Sequence, residues 1–366
     1  KKRATLKDEI LEDRFTNLLP ELMDKSEIDM WLLISREYNE DPVLKTILPA
    51  TWLNARRRTI IVFYRNKEEN TLERLAVARY DIGKSIKSAW NKEQEPDQWK
   101  ALAEIIKERN PQKIGINFSK HFALADGLVK TDYDELKENL SEEITSKLVS
   151  AEKLAISWIE TRTEKELELF RKLVKITHTI IEDAFSEQVI IPGKTTTDDV
   201  VWLLRQKVTD LGLETWFHPT VDLQRNKEAL KSHIESFSKG KAEETIQKGD
   251  LLHCDFGITY IGLNTDCQQH AYVLKDNENE VPTFLVDAFQ KGNRLQDILT
   301  SNMKLGSTGN EILAASLSAA KREGFGGSHK LYQDATDALH NDKPYVPFSD
   351  RKKTPQDDMY KDNKDL

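Results

Sequence analysis

The sequence has few cysteines, no long apolar run and no excess of positive charge. Its 366 residues include only two cysteines, which excludes a disulfide scaffold and zinc modules built on thiolates. No stretch reaches the roughly 18 consecutive apolar residues of a membrane helix, so no membrane span is expected. Asp and Glu outnumber Lys and Arg by 62 to 54, a net charge of −8. This balance excludes broad electrostatic binding of nucleic acid.

The start of the chain leaves the compartment open. It begins Lys1-Lys2-Arg3, with no apolar run behind these residues. A signal peptide is therefore either absent or already removed. We accordingly expect either a cytoplasmic protein or an exported one.

Alternating helical and strand patterns fill the first 150 residues. Apolar residues at helical spacing predict a helix over 6–24. A second helix is predicted over 96–109, because Pro96 stands at its start and Pro111 follows its end. The apolar run Met30–Ile34 has the length of a strand. The other predicted strands are 59–64, 75–80 and 113–117. This order predicts an α/β N-terminal domain over residues 1–150, with a sheet flanked by helices.

A second domain is predicted over residues 151–340. Thr163 and Glu166 have the spacing of a capping box, ahead of an amphipathic helix. The two helices predicted after it begin near Thr195 and near Gly309.

Two segments have the composition of loops. The stretch 226–248 is polar and rich in lysine, which indicates a loop or an insertion. Residues 341–366 contain six Asp, six Lys or Arg and three Pro. They bury too little apolar surface to offset their ordering entropy, so we interpret them as a solvated tail.

Two aspartates stand out in a predicted β-hairpin. Strand-like runs flank a tight connection that we centre on Tyr260-Ile261. With this centre, Asp255 lies directly opposite Asp266, with Cβ atoms roughly 4.5–5.5 Å apart. Opposed carboxylates repel each other, so they need a shared proton, a cation from a third element or a bound metal ion. The alternative is a polar face open to water, where the charges are screened.

Successive side chains of a strand point to opposite faces, so the remaining residues of this hairpin alternate between its two faces. His253 and His270 share the face of the aspartates, where His253 would hold a ligand carboxylate and His270 is a polar surface residue. Cys254 and Cys267 are predicted to lie opposite one another on the apolar face. We expect buried free thiols rather than a disulfide, because a bridge between adjacent strands needs constrained geometry.

The residues around the aspartates resemble a known signature. Asp255-Phe-Gly257, followed eleven residues later by Asp266, is similar to the motif of the pita-bread metallopeptidases. That family includes methionine aminopeptidase, aminopeptidase P, prolidase and creatinase. The neighbouring patterns that agree are Gly249-Asp250, Gly306-Ser-Thr-Gly-Asn-Glu311 and Trp216-Phe-His-Pro219.

The resemblance covers roughly residues 5–325, and the N-terminal α/β domain is similar to that of the Xaa-Pro aminopeptidase branch. It implies an α+β pita-bread-like fold for the C-terminal domain. We expect that domain to be partial in this sequence, because the family's final strands have no visible counterpart in the tail.

The same resemblance implies a ligand set for two metal ions: two aspartates, a histidine and two glutamates. The aspartates map onto Asp255 and Asp266, and the histidine maps onto His329, whose alternative is a loop histidine exposed to solvent. The glutamates are missing, since no glutamate follows Glu323. Three explanations remain open: a missing C-terminal stretch, a natural truncation, or a relative that no longer catalyses.

A further histidine in this family donates a hydrogen bond to the substrate carbonyl or the oxyanion. His218 and His233 are equal candidates for this role here. Trp216 and Phe217, beside the first candidate, line a substrate pocket or belong to the core.

The function implied by the resemblance is hydrolysis of the bond between an N-terminal residue and proline. The expected cofactors are two divalent ions, Mn²⁺ or Zn²⁺ with Co²⁺ a further option, and relatives often form homodimers. The alternative is a non-catalytic relative that binds peptides or proteins on the same scaffold. A creatinase-like hydrolase that needs no metal is a third option.

Overall fold

A continuous apolar run forms the centre of the first sheet. In the computed structural model, which describes residues 1–225 and 243–325, the predicted strand Met30–Ile34 lies within a longer strand whose first five residues are buried. Trp31 and Leu33 pack into one hydrophobic core, whereas Met30 and Leu32 pack into another on the opposite face. A strand buried on both faces has no need of polar alternation, which explains its sequence.

This strand belongs to a six-stranded sheet with the order β4-β3-β2-β1-β5-β6. The pairs β1–β2 and β2–β3 are antiparallel, and the outer pairs are parallel. The strands are β1 Met30–Arg36, β2 Arg58–Asn66, β3 Thr71–Val77, β4 Lys87–Ser88, β5 Ile114–Ile116 and β6 Leu148–Ser150. The strand predicted over 75–80 begins earlier, at Thr71, because β3 pairs with β2 directly after the turn that ends at Asn70.

Helices cover both faces of this sheet. The predicted helix over 6–24 contains a π-helical turn at Arg14–Leu18 between α1 and α2. The helices are α1 Lys2–Asp13, α2 Leu19–Lys25, α3 Pro42–Ile47, α4 Gln98–Arg109, α5 Lys130–Glu138, α6 Glu142–Thr145, α7 Glu152–Glu160 and α8 Glu164–Ala184, with a 3₁₀ turn at Ala123–Ala125.

The described residues form two compact units. The first contains Lys1–Lys172 and Ile261–Leu263, and the second contains Leu173–Tyr260 and the described residues from Asn264 onward. The first unit ends later than the boundary predicted near residue 150, because Trp158 of α7 is buried in its core.

The second unit combines helices with a three-stranded antiparallel sheet of order β11-β8-β7 and a short pair, β9–β10. Its strands are β7 Thr220–Gln224, β8 Leu251–Phe256, β9 Thr259–Tyr260, β10 Leu263–Asn264 and β11 Cys267–Tyr272. Besides the end of α8, its helices are α9 Thr197–Asp210, α10 Thr283–Asn302 and α11 Gly309–Arg322. The helices expected near Thr195 and Gly309 are confirmed. Sequence reasoning missed α10, which buries only Ile298.

Several sequence predictions lie outside the described residues. The stretch 226–242 and everything after Phe325 are not described, so the predicted tail over 341–366 stays a prediction. Within the residues that are described, no helix has the length and apolar character that crossing a membrane requires.

A buried ion pair ties the first helices to the start of α8. Arg14 Nη1 lies 2.7 Å from Glu166 Oε2, and both side chains are 8% exposed. Arg14 also donates to the main-chain oxygens of Trp158 and Thr161 at the end of α7. Glu166 accepts from the main-chain N–H of Thr163, which confirms the predicted capping box. One arginine thus satisfies the carbonyls that end α7 and the carboxylate that begins α8.

Arg14→Met should destabilise the first unit strongly. It leaves the Glu166 carboxylate buried without its cation, a loss of about 3–5 kcal/mol. Lys25→Met is the control, because its partner Glu21 is 60% exposed and such pairs contribute less than about 1 kcal/mol. Urea unfolding followed by tryptophan fluorescence measures both, since the Arg14 guanidinium lies 4.2 Å from the Trp158 ring centre. Equal midpoints for the two variants would contradict the prediction.

Candidate functional site

The turn of the hairpin determines which residues face each other. Ile261 and Gly262 both have left-handed φ values, 52° and 79°, as the two central residues of a type I′ turn require. The turn is therefore centred one residue later than the predicted Tyr260-Ile261. Glycine adopts this conformation at no steric cost, whereas a β-branched residue such as Ile261 rarely does.

The later centre changes the predicted register. Asp255 lies directly opposite Gln268, not Asp266. The direct opposition of the two aspartates was wrong, because moving the turn by one residue moves every cross-strand partner by two. A shift of two keeps each side chain on its face, so the aspartates still share one face and lie diagonally.

The two carboxyl groups still interact. Burial and then the neighbouring Asp266 carboxylate raise the pKa of Asp255. Asp255 Oδ1 is buried and has no hydrogen-bond partner among the described residues. In residues 1–225 and 243–325, no lysine or arginine forms an ion pair with either aspartate. Of the three compensations predicted, a cation from a third element is therefore not found in this part of the chain.

A polar surface continues from the aspartates across the sheet. Thr220 of β7 lies opposite Asp255, and Asp222 lies opposite His253. His253 pairs with His270 on the other side, with ring centres 4.9 Å apart. The two histidines thus lie on the predicted face, and burial followed by the nearby His253 lowers the pKa of His270.

Gln268 connects His253 to Asp255 on this surface. Its Oε1 lies 3.0 Å from His253 Nε2, and its main chain pairs with that of Asp255. His253 therefore contacts the neutral amide of Gln268, which is the direct partner of Asp255 in the ladder.

A tight cluster holds the main chain around Asp266. Trp216 Nε1 donates to the Thr265 carbonyl at 2.8 Å, and its ring packs edge-on against Phe217, with centres 4.7 Å apart. A Cβ atom at Gly257 would lie 2.1 Å from the Thr265 oxygen and 2.7 Å from Trp216 Nε1. Only glycine fits there, which explains the glycine of the Asp-Phe-Gly motif.

Sequence reasoning missed the buried threonines behind this cluster. Thr265 Oγ1 accepts from the main-chain N–H of Ile258 and lies 2.8 Å from Thr177 Oγ1. Both threonines are fully buried. Thr177 lies within the apolar stripe of α8, and its polarity at that position is the signal that would have indicated a buried partner.

The structure describes one of the two candidate catalytic histidines. His218 is exposed, and its Nδ1 lies 3.1 Å from Arg205 Nη1. It precedes Thr220, the partner of Asp255, by two residues. His233 and the predicted metal ligand His329 lie outside the described residues.

The cysteines are free and buried, as predicted. Their direct opposition was wrong for the same reason as that of the aspartates, since Cys254 faces Gln269 and Cys267 faces Phe256. Burial raises the pKa of the Cys254 thiol to about 12. A thiol so hard to ionise is inert as a nucleophile or a metal ligand.

The aspartate pair fits a divalent cation in part. Carboxylates are the hard oxygen donors that such ions prefer, and one oxygen of this pair is buried with no hydrogen-bond partner among the described residues. The described ranges contain no group of three or more potential metal ligands. His329, the predicted further ligand, lies outside these ranges.

Solved structures share the fold. An X-Pro aminopeptidase from Thermotoga maritima MSB8 has a TM-score of 0.57 at 14% identity, covering 84% of this chain and 78% of that one. Aminopeptidase P from E. coli, in its low-pH form, gives 0.53 at 12% identity, with coverages of 84% and 71%. A recombinant prolidase from Thermococcus sibiricus gives 0.50 at 14% identity, with coverages of 85% and 78%. The expected pita-bread fold is thereby confirmed.

Sequence comparison gives the family. No curated protein matches the sequence, but the model of metallopeptidase family M24 matches residues 168–359. Because this match covers more than half of the sequence and the fold agrees with it, the chain belongs to metallopeptidase family M24, whose members generally depend on two divalent metal ions.

Proposed function

We propose that the protein is a metal-dependent peptidase that hydrolyses the bond between an N-terminal residue and proline. The observation that carries the proposal is the Asp255–Asp266 pair, with which no lysine or arginine of the described residues forms an ion pair and which leaves one buried carboxylate oxygen unpaired. The names of the similar structures, an X-Pro aminopeptidase and an aminopeptidase P, support the choice of substrate.

In this proposal Asp255 and Asp266 hold the metal ions, and His329 is a further ligand. Divalent ions in such a site supply Lewis-acid polarisation of the scissile carbonyl and activation of water. Mn²⁺ or Zn²⁺ is the expected metal, with Co²⁺ a further option. A homodimer remains a prediction that light scattering tests.

The chain's own residues would place the peptide beside the aspartates. His218 is the preferred catalytic histidine, because it lies two residues before the strand position that faces Asp255. Its role is to donate a hydrogen bond to the carbonyl oxygen as negative charge develops there. Trp202 and Trp216 are 55% and 48% exposed in the same unit, and their rings offer flat apolar surfaces suited to the proline ring of a substrate.

A second candidate is a non-catalytic relative that binds peptides. One observation favours it: no glutamate follows Glu323, although the family site needs two glutamate ligands. The aspartate pair opposes it, because two close carboxylates serve no purpose in a site without a cation. Metal uptake distinguishes the two candidates.

Asp255→Asn should weaken metal binding strongly. The wild type is expected to bind Mn²⁺ in a calorimetric titration. Loss of a ligand carboxylate should lower the affinity by at least about 100-fold, because removing only a residue that hydrogen-bonds to a metal ligand already lowers it by up to about that factor. Asp287→Asn is the matched control, since Asp287 is an exposed aspartate of α10 in the same unit. Metal binding that is absent from the wild type, or equal in all three proteins, would favour the peptide-binding alternative.

The same substitution should have the opposite effect on the metal-free protein. Since the pKa of Asp255 is raised in the folded state, the stability that its proton contributes is present at low pH and is lost as the pH rises past the raised value. Asn cannot ionise, so Asp255→Asn should raise the Tm at neutral pH in EDTA. Near about pH 3 the two proteins should agree, because there an ordinary aspartate is also protonated. A lower Tm for the variant at neutral pH would count against the repulsion.

Peptidase activity should require both the metal and proline. With Mn²⁺, we expect kcat/KM for a peptide with proline in second position to exceed that of its alanine analogue by at least about tenfold, because only the former fills the site. Asp255→Asn should be inactive and Asp287→Asn fully active. The absence of turnover with Mn²⁺, Zn²⁺ and Co²⁺ in a protein that binds them would exclude the peptidase assignment.

A further inference from the structure

Three side chains meet where α9 faces the segment before β7. Arg205 Nη1 lies 3.1 Å from His218 Nδ1. The Trp202 ring packs edge-on against the imidazole, with centres 5.6 Å apart, and the Arg205 guanidinium lies 5.6 Å from the same indole. Trp202 and Arg205 are three residues apart on the helix and therefore project from one face. We call these residues the His218 cluster.

The chemistry of arginine determines the proton position on the imidazole. A guanidinium has only donor groups and does not lose its proton in proteins. His218 Nδ1 must therefore be the acceptor of this hydrogen bond, which requires a lone pair on that nitrogen. A neutral imidazole has one acceptor nitrogen and one donor nitrogen, so the proton of His218 lies on Nε2.

The same contacts determine the orientation of the ring. Rotating the imidazole by a half-turn would place a carbon atom where Nδ1 now accepts from Arg205, and the hydrogen bond would be lost. The edge-on contact with Trp202 restricts the ring plane further. Nε2 is left as the ring's available donor, because the contact with Arg205 occupies Nδ1.

We propose that Arg205 is a positioning residue, which holds the proton of the neutral His218 imidazole on Nε2 and so presents a hydrogen-bond donor to the peptide carbonyl. The catalytic part of this inference rests on the proposed function, in which His218 assists the hydrolysis. The tautomer itself does not depend on that function. A neutral donor suits an oxyanion site, since it is available without protonation of the ring.

The test uses the full-length, metal-free protein with ¹⁵N-labelled histidine rings, and His218→Gln identifies the His218 signals. In the wild type we expect the ¹⁵N shifts of a single Nε2-protonated tautomer with a hydrogen-bonded Nδ1. Arg205→Met keeps the length of the stem but removes the donor, so its shifts should move toward a mixture of tautomers in fast exchange. Arg205→Lys restores a donor and should recover part of the wild-type pattern.

Lys207→Met is the matched control, because it removes a cation of the same helix whose partner is Asp183. It should leave the His218 signals unchanged. Identical His218 shifts in the wild type and Arg205→Met would overturn the proposal, as would an Nδ1-protonated ring in the wild type. Arg205 is partly exposed, and circular dichroism of both Arg205 variants checks that each is folded.

The kinetic readout separates this inference from the proposed function. In an active enzyme, Arg205→Met should lower kcat by about tenfold or more with little change in KM, because a displaced tautomer removes stabilisation of the transition state. Mn²⁺ affinity should stay unchanged. If the ring shifts respond and kcat does not, the catalytic role is refuted. If the wild type lacks activity, the proposed function fails and the ring shifts alone decide whether Arg205 sets the tautomer.

Discussion

Repulsion between two carboxyl groups on one face of a β-ladder is the constraint on which the site depends. Asp255 and Asp266 lie diagonally across the hairpin, and burial together with the Asp266 carboxylate raises the pKa of Asp255. Gln268, not a cation, is the direct partner of Asp255. Among the described residues, no lysine or arginine pairs with either aspartate, and the nearby His253 offsets the rise in the pKa of Asp255 only in part. The folded protein therefore holds its two acids together at a cost in free energy, and a bound cation removes that cost.

Such a pair persists only where the main chain on both sides is held firmly. On one side, the Thr265 hydroxyl is hydrogen-bonded to the hydroxyl of Thr177 in α8, and the Thr265 carbonyl accepts a hydrogen bond from the Trp216 indole N–H. On the other side, β7 extends the sheet, so that Asp255 lies on the central strand of three. The glycine at 257 permits the close approach of these parts, since a Cβ there would collide with the Thr265 carbonyl. These contacts oppose the separation that repulsion alone would favour.

The sequence predicted the face of the hairpin on which each residue lies better than it predicted that residue's cross-strand partner. Side chains alternate between the two faces of a strand, and moving the turn by one residue moves each cross-strand partner by two positions. Asp255 and Asp266 therefore share a face in both the predicted and the observed register. The register itself depends on a single residue, Gly262, whose positive φ moves the turn by one position. Ile261 gave no such signal, because β-branched residues rarely adopt its conformation. The contact of Arg205 with His218 joins distant segments and leaves no local pattern, so the sequence could not predict it. The polarity of Thr177 within an apolar stripe indicates a buried partner but does not identify that partner as Thr265.

The diagonal register also bears on how the pair would bind an ion. Residues directly opposite on antiparallel strands have Cβ atoms about 4.5–5.5 Å apart, whereas diagonal neighbours are about 7–8 Å apart. The longer separation leaves the carboxyl groups able to converge on a shared ion, and Gln268 beside them is a neutral oxygen donor that His253 already engages. Even in the diagonal register, the Asp266 side chain is within hydrogen-bond reach of Asp255, and this contact helps to raise the pKa of Asp255. The turn at Ile261-Gly262 thus controls the electrostatic cost of the empty site, because it determines the register and so the distance between the two acids.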